Sequence, residues 1–202
     1  MVLEANREFL RTVSLRITGL YGEGKDSITE IQLQRLRRGE HKFQIEDNSA
    51  LWAFVYIEDA ARAHVLASKA LLHGGQAQTD PKVDGEAFFI TDGTAEPFWD
   101  ICRSIWKEAG DDTPLEKVTI ITLLPMLIFA AIGEWLFWAF TFGKREPELR
   151  RHDLEYLRTG CFVSIQKARE RLGFEPLVDR PEGIRRGVKW ALGQESKAKK
   201  DT

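Results

Sequence analysis

The chain has 202 residues, 43% of them hydrophobic and 30% charged, with a formal net charge of −2 at pH 7. That length suits one domain or a large piece of one, and the composition supports a packed core and not a disordered chain. The near-neutral balance gives no electrostatic case for nucleic acid, and the scattered histidines (His41, His64, His73, His152) offer no metal-ligand spacing.

Met1 to Glu8 reads as the end of a helix, and Met1 to Asn6, too short and followed by charge, does not read as a secretory signal. Thr12 to Lys25 then reads as a buried strand, apolar and β-branched through Ile17, running into a glycine-rich turn. Such a strand belongs in the middle of a nucleotide-binding α/β sheet, yet only eleven residues precede it. The expectation is therefore a C-terminal half, entered just after the catalytic helix.

Ser27 starts a helix with Ile28, Ile31, Leu33 and Leu36 on roughly one face, closed by Arg37-Arg38-Gly39. Two extended runs follow, Phe43 to Glu46 and Leu51 to Ile57, separated by the turn Asp47-Asn48-Ser49. Asp59 is placed as the cap of a helix from Ala60 to Leu72 that ends at Gly74-Gly75. Gln76 to Gly85 is a polar loop and Ala87 to Thr91 a strand.

Thr94 or Glu96 with Pro97 opens an amphipathic helix bearing Phe98, Ile101, Cys102 and Ile105, stopped by Gly110. Asp179 with Glu182 has the form of an N-terminal cap, and the helix after it carries Ile184, Val188 and Leu192 before Gly193. Residues 193–202 read as a disordered, lysine-rich tail. Strands alternating with helices indicate α/β architecture with a mostly parallel sheet. Cys102 and Cys161 are unaccompanied and read as reduced structural thiols, as suits a cytosol-facing protein.

Residues 118–142 are the most apolar stretch, with Pro125 and Glu134 inside it and Trp135 and Trp138 near its end. A membrane span needs about 20 apolar residues, so the length permits one. Glu134 at the centre would cost about 2.5–3.5 kcal/mol on insertion scales. Arg150 and Arg151 after the stretch would favour a cytosolic C-terminus, which leaves no route for an upstream half into the lumen. An interfacial helix or shallow hairpin with its tryptophans at headgroup level resolves that conflict; a buried lid over a substrate pocket is the other reading. Lys199-Lys200 near the C-terminus has the di-lysine form of an endoplasmic-reticulum retrieval signal, against the plain alternative of a solvated charged tail.

Four segments in register carry a family resemblance. Leu15-Arg16-Ile17-Thr18-Gly19-Leu20-Tyr21-Gly22-Glu23-Gly24 resembles the L-R-P-x-x-I-Y-G-P-G stretch of extended short-chain dehydrogenases. Phe54-Val55-Tyr56-Ile57-Glu58-Asp59-Ala60-Ala61-Arg62-Ala63-His64 resembles their F-V-H-V-D-D-V-A-R-A-H stretch. Residues 85–93 with Phe98-Trp99, then Lys167 to Pro176 and Pro181 to Trp190, are similar to one branch. That branch is the 3β-hydroxysteroid dehydrogenases and sterol-4α-carboxylate 3-dehydrogenases, especially fungal ones. Ile17 and Glu23 depart from it, each standing where the family has proline.

The resemblance implies an extended Rossmann-type fold, of which this chain is the C-terminal part. It implies residues 1–192 as one unit, a partial parallel sheet plus a helical substrate-binding region, with the nucleotide-binding half missing. It implies NAD- or NADP-dependent oxidation of a secondary alcohol on a sterol or similarly apolar polycyclic substrate. Ile17 and Leu20 would lie on the cofactor side and Tyr21 and Tyr56 on the substrate side. An endoplasmic-reticulum membrane location, cytosolic face outward, would follow, or otherwise a cytoplasmic one. The alternative is a truncated, non-catalytic paralogue that binds lipid, membrane or a full-length homologue.

The family's catalytic pair, Tyr-x-x-x-Lys, works on one face of a helix, where lysine lowers the tyrosine pKa for proton transfer. Tyr21-Gly-Glu-Gly-Lys25 matches in letters only, because two glycines disfavour a helix by about 2 kcal/mol relative to alanine. No catalytic residue is assigned in this chain. Among single residues, His64 reads as a packed or surface side chain, and Arg16 as the partner of a carboxylate in the sheet. Trp99, Trp106 and Trp190 read as core.

Overall fold

The computed structural model describes residues 2–7, 9–25, 27–73, 82–141 and 151–198. In chain order the elements are β1 (Val13–Ile17), β2 (Gly19–Tyr21), α1 (Ile28–Arg37), β3 (Phe43–Ile45), β4 (Leu51–Tyr56), α2 (Ile57–His73) and β5 (Glu86–Ile90). Then come β6 (Ala95–Pro97), α3 (Phe98–Glu108), β7 (Thr119–Ile121), α4 (Leu123–Thr141), α5 (Arg151–Thr159), α6 (Gln166–Leu172) and α7 (Arg180–Ala198). The N-terminal helix end is reduced to one 3-10 turn, Leu3–Ala5. The glycine pair at 74–75, most of the polar loop and the di-lysine pair lie outside the described residues.

One extended run, broken at Thr18, joins two sheets. Its first half, β1, pairs in parallel with β5, Leu15 opposite Phe88 and Ile17 opposite Ile90. Its second half, β2, pairs in parallel with β4, Tyr21 opposite Tyr56, and β6 closes the far side of β4 antiparallel. The backbone N–H of Asp92 donates to the carbonyl of Phe54 at 2.7 Å and links the end of β5 to β4. A separate parallel pair joins β3 to β7.

Strand alternation explains why β4 is apolar throughout. Trp52, Phe54 and Tyr56 face a core shared with α3 and α7, including Trp99, Trp106, Ile184 and Val188. Val55 faces a second core with α2, β5 and α6, including Ala63, Phe88, Ile90, Ala168 and Phe174. A strand buried on both faces needs no polar side, which is how the sequence reads.

The helix boundaries follow local chemistry. Ser27 has an extended backbone and its hydroxyl accepts from the N–H of Glu30 at 3.4 Å, while Gly39 adopts a left-handed φ of 73° just beyond α1. Asp179 Oδ1 accepts from the N–H of Glu182 at 3.1 Å and caps α7 as the spacing predicts.

Three expectations need correction. Asp59 does not cap α2, which begins two residues earlier; its carboxylate, 2% exposed, accepts from the backbone N–H groups of Leu177 and Val178. Among the described residues Arg16 pairs with no carboxylate, and it lies over the ring of Phe89, 5.4 Å from its centroid. Gly193 does not end α7: it is not among the glycines at positive φ, and good helix formers carry the helix to Ala198. The expected disordered tail is thus helical over most of its length.

The apolar stretch forms α4. Leu123 and Ala130 pack against Leu154 of α5, and Arg151 binds the Glu134 carboxylate at 2.7 Å through both its backbone N–H and Nε. The opposite face is open, with Leu124, Phe129, Trp135 and Phe140 each more than two-thirds exposed. Among the described residues, no helix is long and apolar enough to cross a membrane.

Candidate functional site

In an open α/β sheet, ligands sit beyond the carboxyl ends of the strands. Here that region gathers the ends of β1, β2 and β4, the start of α1 and the N-terminus of α7. Ile17 ends β1 half-buried against the second core. Leu20 lines an open cavity of about 410 Å³ between α1 and α3, with Ile28, Ile31, Phe98, Trp99 and Leu157 among its walls. That lining is predominantly apolar, and Gln32 and Arg35 are its polar exceptions.

Tyr21 and Tyr56 are brought together, ring centroids 5.7 Å apart, but both are fully buried beneath α7 and neither lines the cavity. The register that pairs them turns both rings toward α7. Burial, reinforced by the Asp92 carboxylate, pushes the Tyr21 phenol well above the ordinary tyrosine value. A proton-transferring tyrosine needs the opposite shift. Tyr21 sits in a strand, and Gly22 (φ 109°) and Gly24 (φ 138°) separate it from Lys25 with no helix between. The letter match to the catalytic pair is therefore a coincidence of turn residues. Tyr56 donates to Glu23 Oε2 at 2.7 Å, and burial together with that bond pushes its pKa up to about 12.

A second cavity, about 570 Å³, opens beside Thr94, Glu96, Lys107 and Arg180. Its arginine is already engaged. Arg180 donates from Nε and a terminal nitrogen to Asp92 at 2.6–2.8 Å, meets Glu96 at 2.7 Å and donates to the Thr94 hydroxyl at 2.7 Å. Burial pulls the Arg180 pKa down, but the two carboxylates overcome this and hold it above the ordinary guanidinium value. The cluster clamps the start of α7 to the β5–β6 turn, so it is a structural joint. The smaller, apolar cavity is the one shaped for an apolar ligand.

A dinucleotide requires a cradle of backbone N–H groups for its pyrophosphate, supplied by a glycine-rich turn that enters a helix. The glycines after β1 do not form one. A Cβ at Gly19 would lie 2.8 Å from the ring of Phe54, and one at Gly22 would lie 2.6 Å from Tyr56, so both serve close packing. The described residues thus do not fit the pyrophosphate.

Sequence reasoning missed Gln32, Arg35 and the Arg180 cluster. For Gln32 a signal existed: it falls one turn after Ile28 on the stripe that α1 turns inward, where a polar residue needs a reason.

The sequence pattern of the 3-beta hydroxysteroid dehydrogenase/isomerase family matches residues 1–122. The chain is 40% identical over 192 residues to the decarboxylating sterol-4-alpha-carboxylate 3-dehydrogenase of Gibberella zeae, covering 95% of this chain and 62% of that protein. It is 38% identical over 192 residues to the enzyme of the same description from Schizosaccharomyces pombe, covering 94% of this chain and 53% of that one. The chain therefore spans somewhat over half the length of these relatives. The structure resembles a UDP-glucose 4-epimerase from Thermotoga maritima solved with UDP-glucose, with a TM-score of 0.58, 20% identity and coverage of 93% of this chain and 48% of that one. That likeness shows a Rossmann-like α/β fold.

Proposed function

Because the chain belongs to the 3-beta hydroxysteroid dehydrogenase/isomerase family, we propose that it serves the NAD(P)-dependent oxidation of a secondary alcohol on a sterol or a similarly apolar polycyclic molecule. The observation that carries this reading is the apolar cavity beside Leu20, walled by α1 and α3. In this reading the cavity holds the rings, and Ile17 and Leu20 border the nicotinamide side. Residues 1–192 act as the substrate-binding unit, and the pyrophosphate cradle and the proton-transfer pair come from outside the described residues. Ile17 and Leu20 would border a nicotinamide dinucleotide, whose chemistry would be that of a hydride acceptor; the part of this chain is to hold and orient the alcohol.

The test is a chimera that joins the upstream portion of the Gibberella zeae relative to this chain. Sterol-dependent reduction of NAD or NADP is expected from the chimera, and none from the 202-residue chain alone. A folded chimera that binds dinucleotide yet oxidises no sterol alcohol overturns the reading.

A second reading, in which this chain binds lipid or a full-length homologue without catalysis, is favoured by the open face of α4. The two readings share a membrane contact, and we place α4 flat at the cytosolic surface of the endoplasmic reticulum. Leu124, Phe129 and Phe140 are exposed on the helix, and Trp135 and Trp138 suit the headgroup level. The lid reading needs this face buried, which the described residues do not do. Co-sedimentation with phosphatidylcholine vesicles should fall about tenfold when Trp135 and Trp138 are both replaced by serine. Unchanged sedimentation would leave a cytoplasmic protein.

A further inference from the structure

The apolar cavity and a smaller one of about 30 Å³ share a wall made of Ile45, Phe98, Trp99 and Leu157. Beyond those four side chains the small cavity reaches Leu123, the first residue of α4, and Leu154 of α5. It has room for about one or two waters, which makes it a neck and not a second chamber. The shared wall is wholly apolar, and polar groups on the rim of the neck are engaged elsewhere. Asn48 donates from Nδ2 to Asp100 Oδ1 at 3.1 Å and accepts from the N–H of Trp99 at 2.8 Å, and Glu46 accepts from the N–H of Leu123.

α5 is held at both ends. Toward its start Leu154 packs with Leu123 and Ala130 of α4, and Arg151 pairs with Glu134. Toward its end the Tyr156 ring meets Trp52 of β4 edge-on, centroids 4.8 Å apart, and the N–H of Cys161 donates to the Leu51 carbonyl at 2.9 Å. Leu154 and Leu157 are three residues apart and share one face of α5. That face joins the packing of α4 to the wall of the apolar cavity.

The α1 rim of the cavity meets water, with Ile31 half-exposed. A sterol that travelled from a bilayer to that rim would bare its apolar surface to water, at a cost that grows with the area. A passage that starts at α4 avoids the exposure. We propose that the neck beside Leu123 and Leu154 is the path by which an apolar ligand passes between a lipid surface at α4 and the cavity, with Leu157 as the side chain that yields. The inference rests on the sterol reading and on the membrane contact of α4, and adds the route that connects them.

The path in is also the path out, so the experiment follows release. The 202-residue chain is loaded with the fluorescent sterol dehydroergosterol from cyclodextrin, and energy transfer from tryptophan reports occupancy, since Trp99 lines both cavities. Excess phosphatidylcholine vesicles, or empty cyclodextrin, then take the sterol away. Release to vesicles should quicken in proportion to their concentration, as transfer on contact requires. Ala50 lines the neck and not the apolar cavity. Ala50→Leu should therefore slow release to vesicles about tenfold by overfilling the neck, with affinity and release to cyclodextrin unchanged. Circular dichroism checks folding, and Ala50→Val, a smaller plug, makes the same test if the leucine variant is unfolded. A vesicle rate that the plug leaves unchanged, an equal slowing with both acceptors, or a rate independent of vesicle concentration overturns the proposal and leaves the sterol reading standing. If no sterol loads, the sterol reading falls and the proposal falls with it.

Discussion

Replacing Gly187 with alanine should lower the melting temperature by about 4–8 °C, whereas the same change six residues later at Gly193 should raise it by about 2–3 °C. Both glycines lie inside α7, so in both cases alanine brings the helix-propensity gain of about 1 kcal/mol. They differ in what the new methyl group meets. At Gly187 a Cβ would sit 2.8 Å from Cα, C and O of Gly22, which is backbone on the turn after β2 and has no rotamer to yield. Overpacking of that kind costs about 3 kcal/mol, which outweighs the propensity gain by about 2. At Gly193 nothing lies within 4 Å, and only the gain remains. Paired thermal melts of the two variants check this. Equal shifts for both would mean that α7 does not seat on the β2 turn as closely as the structure places it. Gly183 adds to the same seam, since a Cβ there would approach Tyr21 and Tyr56 at 2.7 and 2.9 Å. The interface that buries the two tyrosines is therefore built from glycines on the helix side.

That seam shows where sequence reading stops. Strands and helices whose signals are local were legible: Ser27 and Asp179 as caps, the apolar β4, the amphipathic α3 with Ile101, Cys102 and Ile105 all buried. So was the order of the family motifs, which follows from the chain itself. What failed was each assignment that depends on a partner far along the chain. Asp59 looks like a cap because it precedes a helical run, but its acceptor oxygens serve residues 118 and 119 positions later. The family resemblance puts Tyr21 and Tyr56 on the substrate side, and says nothing of what packs over them. Only the packing of α7 reveals that they face a helix and not a cavity. Gly193 resembles a helix stop because glycine alone does not disclose its φ. Of the candidate site, Ile17 and Leu20 were named only through resemblance, as a cofactor side. Gln32 and Arg35 gained meaning only once α3 and Leu157 closed a cavity against α1.

Removing the cation of the buried joint at α7 should be the costliest single change that leaves the hydrophobic core untouched. Arg180 and Asp92 are 11% and 6% exposed in their side chains, and Glu96 is 29% exposed. Arg180→Met keeps most of the aliphatic volume but strips the partner from a carboxylate that has little water to turn to. Breaking a buried pair on one side costs about 3–5 kcal/mol, far more than the fraction of a kcal/mol typical of surface pairs. For a chain of this size the expected fall in melting temperature is about 10 °C. The double variant, Arg180→Met with Asp92→Asn, separates a lost clamp from an abandoned charge. Asparagine keeps Oδ1 to accept from the N–H and hydroxyl of Thr94, now 3.1 and 3.0 Å away, while it removes the uncompensated charge. If desolvation of Asp92 dominates, the double variant should recover at least half of the loss seen in the single one. If it recovers nothing, the penalty lies in the missing bridge between the β5–β6 turn and the N-terminus of α7. Arg180 would then act as a tether whose hydrogen bonds, and not its charge, hold the helix over the tyrosine pair.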